Sequence, residues 1–304
     1  MSSAQLPSLG AHIYRRFALS DGVGLAYLDL PPTMDPELGA EAPVILIAGW
    51  SQSVAQFRYQ LGPLSTRRRV LALDMRGHGE SDKPQFGYRV ARLAADLREF
   101  VTGMDLDPVS FVAHSVGATV VWSYLDNYGQ DGIDRLVFVD EGASVVAKPT
   151  WAERERLLAG AAMSVAEYAD FYARILAAVT EAQAADLVRE LFGPDIDPRE
   201  LAWVARENLK LPRQAAADLM WDASNVDWRD VFASIRRPTL VMGAENSLFH
   251  PDSQRWIAEQ VPGGQVDICP AAEGGSHFMF IENPDRFNAI VEAFLSAERS
   301  VTRS

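Results

Sequence analysis

A serine, a histidine and a small choice of carboxylates stand where apolar runs of this chain end. The run Val109–Ala113 leads into Ala113-His114-Ser115-Val116-Gly117, and a helical pattern follows. Small-x-Ser-x-Gly between a strand and a helix is the sharp turn that lifts a serine hydroxyl above a sheet. Only small residues fit at its first and last positions, and Ala113 in place of glycine is a mild departure. The helix that follows aims its positive end at the site, where it favours a developing oxyanion. The bland reading of Ser115 is a buried, hydrogen-bonded serine; the strand–turn–helix context favours a nucleophile.

A serine hydroxyl needs a base. His277, in Gly274-Gly275-Ser276-His277-Phe278, sits after the last strand pattern and before the last helix, and its flanking glycines let the ring reach Ser115. The other histidines fit worse. His78 lies in the turn Arg76-Gly77-His78-Gly79, His114 packs behind the serine, His250 is a loop residue without a role, and His12 belongs to the N-terminal arm. A carboxylate must hold the imidazole tautomer. Asp140, at the end of Leu136–Val139, is favoured; Glu245, after Val241-Met242, and Glu141 are the alternatives, each otherwise a solvated loop acid. Two backbone N–H groups should hold an oxyanion. Val116 follows the serine, and Trp50 lies in the loop Gly49-Trp50-Ser51 after another strand pattern. Trp50, His114, Trp151 and Phe278 are the candidates for lining a substrate pocket.

The elements that must position these groups follow a regular rhythm. Ile13–Leu19 and Val23–Leu30 flank an Asp-Gly turn and read as a hairpin. Val44–Ala48 is a continuous apolar run, the pattern of a strand covered on both faces. Helix over Ala55–Leu64, strand over Val70–Leu73, helix over Val90–Met104, strand Val109–Ala113, helix Ala118–Tyr128 and strand Leu136–Val139 follow. Strands alternating with helices imply a mainly parallel sheet. The rhythm then breaks into purely helical patterns up to Trp228. It resumes with strands at Thr239–Met242 and Val266–Cys269 and a closing helix at Pro284–Leu295. The expected organisation is an α/β core over 1–148 and 229–304 with a helical insertion, a cap, over 149–228. Trp151, Trp203, Trp221 and Trp228 fall in that insertion, where they build a helical layer or line a pocket.

Composition narrows the function. The 304 residues are 48% hydrophobic and 23% charged, which excludes disorder for most of the chain. With 28 Lys+Arg against 41 Asp+Glu, the net charge of −13 argues against a nucleic-acid partner. The basic run Arg67-Arg68-Arg69 reads as a solvated rim. The single cysteine, Cys269, reads as a buried strand end; it forbids an intrachain disulfide and a thiolate zinc cluster. There is no His-Glu-x-x-His pair, no phosphate loop and no dinucleotide fingerprint, so neither metal nor cofactor is expected. No stretch approaches the ~18 apolar residues of a membrane span, and Met1–Ala11 lacks a signal-peptide pattern. A cytoplasmic location is the expectation. Oligomeric state is not legible.

Taken together, Gly49-Trp50-Ser51-Gln52-Ser53, Asp74-Met75-Arg76-Gly77-His78-Gly79-Glu80-Ser81-Asp82-Lys83-Pro84, His114-Ser115-Val116-Gly117 and Gly275-Ser276-His277-Phe278 resemble the α/β-hydrolase superfamily. The similarity is greatest to its cap-containing branch of cofactor-free haloperoxidases, esterases and lactonases, and spans about 13–297. It implies a mainly parallel eight-stranded sheet, no cofactor, and a small ester or lactone substrate, with the tryptophans suggesting an apolar or aromatic one. The aspartate that many members carry after the seventh strand is Asn246 here, which shifts the acid toward Asp140, a position other members use. The usual His-Gly after the third strand is Ala48-Gly49. Dehalogenases and epoxide hydrolases of this fold attack with an aspartate where this chain has Ser115.

The first functional reading is an ester or lactone hydrolase working through an acyl-enzyme, which peroxide instead of water would turn into a perhydrolase. The second is a cofactor-free, ring-cleaving dioxygenase of quinolone type. Those enzymes resemble this chain in the Gly-Trp, in the His-Ser turn, and in an aspartate 25 residues beyond the serine. The third is a ligand-binding signalling protein that retains the triad.

Overall fold

The computed structural model describes residues 13–34 and 41–298; His12, the arm before it and part of the loop Pro31–Pro43 lie outside the described residues. Eight strands form one sheet: β1 (Arg15–Ala18), β2 (Gly24–Leu30), β3 (Val44–Ile47), β4 (Val70–Leu73), β5 (Val109–His114), β6 (Ile133–Val139), β7 (Thr239–Ala244) and β8 (Gln265–Cys269). Their order is β1-β2-β4-β3-β5-β6-β7-β8. β1 and β2 pair antiparallel, as does β2 with β4; every later pairing is parallel.

The central strands are buried along their whole length, and their side chains alternate between two cores. Ile45, Ile47, Leu71, Leu73, Phe111 and Phe138 join one; Val44, Leu46, Val70, Ala72, Val112 and Val137 join the other. Period-two alternation with apolar residues at every position is what a sheet sandwiched between helices requires.

The helices are α1 (Leu61–Leu64), α2 (Val90–Gly103), α3 (Val116–Tyr128), α4 (Glu153–Ala159), α5 (Val165–Ala177), α6 (Glu181–Val188), α7 (Pro198–Asn208), α8 (Arg213–Ser224), α9 (Pro251–Gln260), α10 (Met279–Glu282) and α11 (Pro284–Leu295). α2 buries Val90, Leu93, Ala94, Leu97, Phe100 and Val101, an apolar stripe at helical spacing. α11 begins where the sequence marks it: Asn283 accepts from Arg286 N–H and Pro284 occupies the first turn.

Three local expectations are corrected. Ala55–Leu64 is not one helix but a 3-10 turn, Val54–Phe57, followed by the one-turn α1, because Pro63 has no N–H to give Tyr59 O, the bond that would carry a helix through the junction. Of the run Arg67–Arg69 only Arg67 is the exposed rim residue expected. Arg68 is 1% exposed and bonds both Glu292 and Glu41, and Arg69 pairs with Asp29 at 2.8 Å. Helix α9 was not anticipated, although His250 accepting from Asp252 N–H and Pro251 in its first turn mark its start.

Between β6 and β7 the chain runs through α4 to α8. Ser164, Thr180 and Asp197 cap α5, α6 and α7, each accepting from a first-turn N–H. Trp228 joins the main core; Trp221, 49% exposed, sits against Tyr168 and Tyr172.

Behind the serine, a Cβ at Gly117 would stand 2.7 Å from Ile47 O and 2.8 Å from Ala48 O, so α3 lies directly against the end of β3. Backbone cannot yield there as a flexible side chain would. Gly117→Ala should therefore lower the unfolding free energy by about 1–3 kcal/mol in urea denaturation. Gly62→Ala, where a Cβ meets nothing within 4 Å, should be neutral or gain up to about 1 kcal/mol. Equal effects would refute this packing account.

Candidate active site

Ser115 and Asp140 end adjacent parallel strands. His114 pairs with Val139 in the β5–β6 register, so the next residues, Ser115 and Asp140, fall side by side. Both adopt a left-handed backbone, with φ of 52° and 51°. Such a conformation costs a non-glycine residue roughly 1–3 kcal/mol and persists only where surroundings enforce it. Here the amides are tied down, Ser115 N–H to Val139 O at 2.9 Å and Asp140 N–H to Met242 O at 2.7 Å. The turn throws the two side chains out at the same edge of the sheet.

His277 reaches that edge from the loop between β8 and α10. Asn246 pairs with Ser276 across an isolated bridge, and Asn246 N–H donates to Gly275 O at 2.9 Å. Gly275 has to be glycine, since a Cβ there would lie 2.1 Å from Cys269 O. The imidazole Nδ1 lies 2.7 Å from Asp140 Oδ2, and Ser247 Oγ donates to the same oxygen. With Nδ1 donating to the carboxylate, Nε2 is left as the basic nitrogen of the ring.

Ser115 Oγ is 3.4 Å from Glu141 Oε2. Glu141 is wholly buried, and its other oxygen accepts from Gly142 N–H at 2.8 Å. Burial, with the Asp140 charge adding to it, pushes the Glu141 carboxyl up to about 8. His114 packs against His277: its Nε2 bonds His277 O at 2.9 Å and its ring centroid lies 4.5 Å from that of His277. Burial first, and the neighbouring His277 second, hold His114 well below the usual imidazole range.

The loop after β3 forms the facing wall. Ser51 also has a left-handed backbone, φ 57°, and its hydroxyl donates to Asn208 O at 2.8 Å. Trp50 Nε1 donates to Ala216 O at 2.7 Å, fixing the indole to α8. Among the described residues neither the Trp50 nor the Val116 N–H has an acceptor. The Arg-Gly-His-Gly run supports this loop from behind. Asp74 accepts from Val54 N–H at 2.7 Å and Glu80 N–H at 2.8 Å, and burial lifts its carboxyl to about 6. His78 is buried in the same turn on Arg76 O, with its ring pushed down to about 4 by burial.

These walls surround one cavity. Ser115, Glu141, His114, His277, Trp50 and Phe278 line it on the core side. α5, α6 and α8 close it with Phe171, Arg174, Leu187 and Met220. Of the pocket candidates, Trp151 is not brought in. It is half-buried between Lys148 and Arg229, whose charges lie 5.2 and 4.3 Å from its ring. None of the four tryptophans of the insertion lines the cavity, and Trp50 does so from outside it. Glu245 is also elsewhere: it is exposed and accepts from Ala271 N–H at 2.9 Å. Sequence reasoning missed the lining contributions of Gln52 and Asn208, whose Oε1 and Nδ2 are buried without a partner among the described residues. Their signal was weak: one polar residue beside Trp50 and one at the C-terminal end of α7. No helix among the described residues is long and apolar enough to cross a membrane.

With this geometry in hand, comparison with known proteins assigns the family. The chain belongs to the α/β hydrolase fold family, whose model matches residues 42–284. It is similar to the AB hydrolase superfamily protein YisY of Bacillus subtilis, 23% identical over 261 residues, covering 85% of this chain and 93% of that protein. Among solved structures it resembles a bromoperoxidase from Bacillus anthracis (TM-score 0.82, 21% identity, 94% of this chain and 100% of that one). It also resembles the esterase EaEST from Exiguobacterium antarcticum (TM-score 0.81, 18% identity, 94% and 100%).

The buried Asp140–His277 contact should give an imidazole Nδ1 proton resonance far downfield of the amide envelope. The resonance should vanish in Asp140→Ala and survive in Glu245→Ala. Loss in the second variant instead would reverse the choice of acid.

Proposed function

We propose that the protein is a serine hydrolase of carboxylic esters or lactones that works through an acyl-enzyme. One observation carries this reading: the Asp140–His277 pair, 2.7 Å apart, opens on the same mainly apolar cavity as a serine held in a left-handed turn. In the proposed cycle, Ser115 Oγ turns about its Cα–Cβ bond toward His277 and attacks the acyl carbon as Nε2 takes its proton. The Trp50 and Val116 amides receive the oxyanion, and the protonated His277 returns its proton to the leaving oxygen. Water, deprotonated by the same ring, then releases the acid. Asp140 holds the ring in place and steadies the imidazolium that forms.

Residues 149–228 are read as a cap that closes the cavity over the core formed by 1–148 and 229–304. Because apolar side chains of α5, α6 and α8 dominate its roof, the fitting substrates are small and apolar or aromatic. An esterase among the fold neighbours agrees with this chemistry.

One observation favours a second reading. Ser115 Oγ faces Glu141 and not the histidine, and a cofactor-free dioxygenase would need only the His277–Asp140 pair to deprotonate its substrate. Trapping separates the two. A fluorophosphonate should add one adduct by intact mass, on Ser115, and none to Ser115→Ala. On a panel of aryl esters and lactones, Asp140→Asn should cost roughly 10²–10⁴-fold in kcat/KM, and oxygen uptake with a hydroxyquinolone should be nil. Full hydrolysis by Ser115→Ala, or oxygen uptake that depends on His277, would overturn the hydrolase reading.

A further inference from the structure

Glu141 has no part in the cycle above, yet its buried carboxyl lies 3.4 Å from the serine hydroxyl. Its carboxyl is pinned: Oε1 takes Gly142 N–H, Oε2 lies 3.4 Å from Ser115 Oγ, and its main-chain oxygen accepts from Gln254 Nε2 of α9 at 3.0 Å. The groups that face it from each neighbouring element offer a charge no support. Asp140 adjoins it on the strand end, His114 and His277 stand across the turn, and α9 presents the neutral Gln254 and Ser253. Arg174 of α5 and Glu190, both exposed, share only the cavity wall and are of opposite sign. No Lys or Arg among the described residues pairs with Glu141.

We propose that Glu141 is a positioning residue for Ser115 that serves only as the neutral carboxylic acid: in that form it holds the hydroxyl in a hydrogen bond easily exchanged for His277, and as a carboxylate it locks the serine and disables it. The inference rests on the hydrolase reading. The physics is a contrast between two protonation states. A carboxylic acid shares a hydrogen bond with Ser115 in either direction without net charge, so the hydroxyl can turn to the base. A carboxylate accepts the serine proton strongly and keeps it from Nε2. It also repels the oxyanion that forms a few ångströms away. At about 4 Å and an effective dielectric near 20, that repulsion alone slows the step by roughly 10²–10³-fold.

Burial supplies the protonation. With the carboxyl pushed up to about 8, the acid form dominates at neutral pH and gives way above it. The reactive state is therefore present below about pH 8 and lost as pH rises past that point. Stability follows the same sign. A carboxyl raised above its ordinary value contributes fully at acid pH, and its contribution is lost as pH climbs from the ordinary glutamate range toward 8.

The test measures the rate at which a fluorophosphonate labels Ser115 between pH 6 and 10, in the wild type and in Glu141→Gln, corrected for probe hydrolysis. Thermal melts of both are taken over pH 5–9. The wild-type rate should fall about tenfold per pH unit above about pH 8, and the Glu141→Gln profile should lack that fall whatever its absolute rate. The wild type should also lose Tm relative to Glu141→Gln as pH rises. A wild-type profile without an alkaline fall overturns the proposal by itself, even if the variant does not fold. So do parallel falls in both proteins. Absence of labelling in both at every pH, with the Tm gap intact, would sink the hydrolase reading and the positioning role with it, while leaving the buried acid established.

Discussion

The register between three parallel strands is the constraint on which the rest of the site depends. β5, β6 and β7 are locked so that Ser115 and Asp140 leave the sheet next to each other, and Met242 of β7 takes the Asp140 amide. A slip of one residue in either pairing would turn one of these side chains to the opposite face. The sequence enforces the register by burial. Phe111, Leu136 and Phe138 fall in one core and Val112, Val137 and Val139 in the other, so a slip would exchange both sets at once. The strain of the two left-handed residues is offset by that packing, since neither turn can relax without unpairing a strand end.

A second layer of support comes from residues that do no chemistry. Asp74 and His78 are buried in one turn, from which Asp74 holds Val54 and Glu80 by their amides, and through Val54 the loop that carries Trp50 and Ser51. Gly79 makes this turn possible, with φ 44° and no room for a Cβ against the Asp74 carboxyl. Buried acids recur at this end of the sheet. Asp74 and Glu141 are both raised by desolvation, while Asp140 is matched to a histidine and a hydroxyl. Adjacent carboxyls at 140 and 141 thus meet different surroundings, one facing a histidine and a hydroxyl, the other buried without a cationic partner among the described residues.

The core was legible because it obeys short-range rules. Apolar runs of strand length, capping residues such as Asn283, and small residues around Ser115 each declare themselves within a few positions. The surroundings of the candidate acids were only half legible: Asp140 and Glu245 each follow a strand pattern, and the fold alone buries the first beside His277 and sends the second to the surface. Long-range burial was not legible. Arg68 reads as a surface cation in any window of sequence, and only the arrival of Glu292 from α11 makes it an interior residue. The roof of the cavity was equally hidden. Phe171 and Met220 stand on amphipathic helices whose orientation is set by packing of α5 against α8, whereas the more conspicuous Trp151 and Trp221 found partners elsewhere. Glu141 belongs to the same class, since its meaning lies in what the turn at Asp140 presses it against.

The central claim is that Ser115, His277 and the amides of Trp50 and Val116 act on one reacting atom. A crystal structure of the protein after reaction with a fluorophosphonate tests this most directly. The account predicts continuous density from Ser115 Oγ to phosphorus, with the phosphoryl oxygen within hydrogen-bond distance of both amides and His277 Nε2 turned to the leaving-group side. An adduct on another residue, or a phosphoryl oxygen pointing away from Trp50 and Val116, would contradict it.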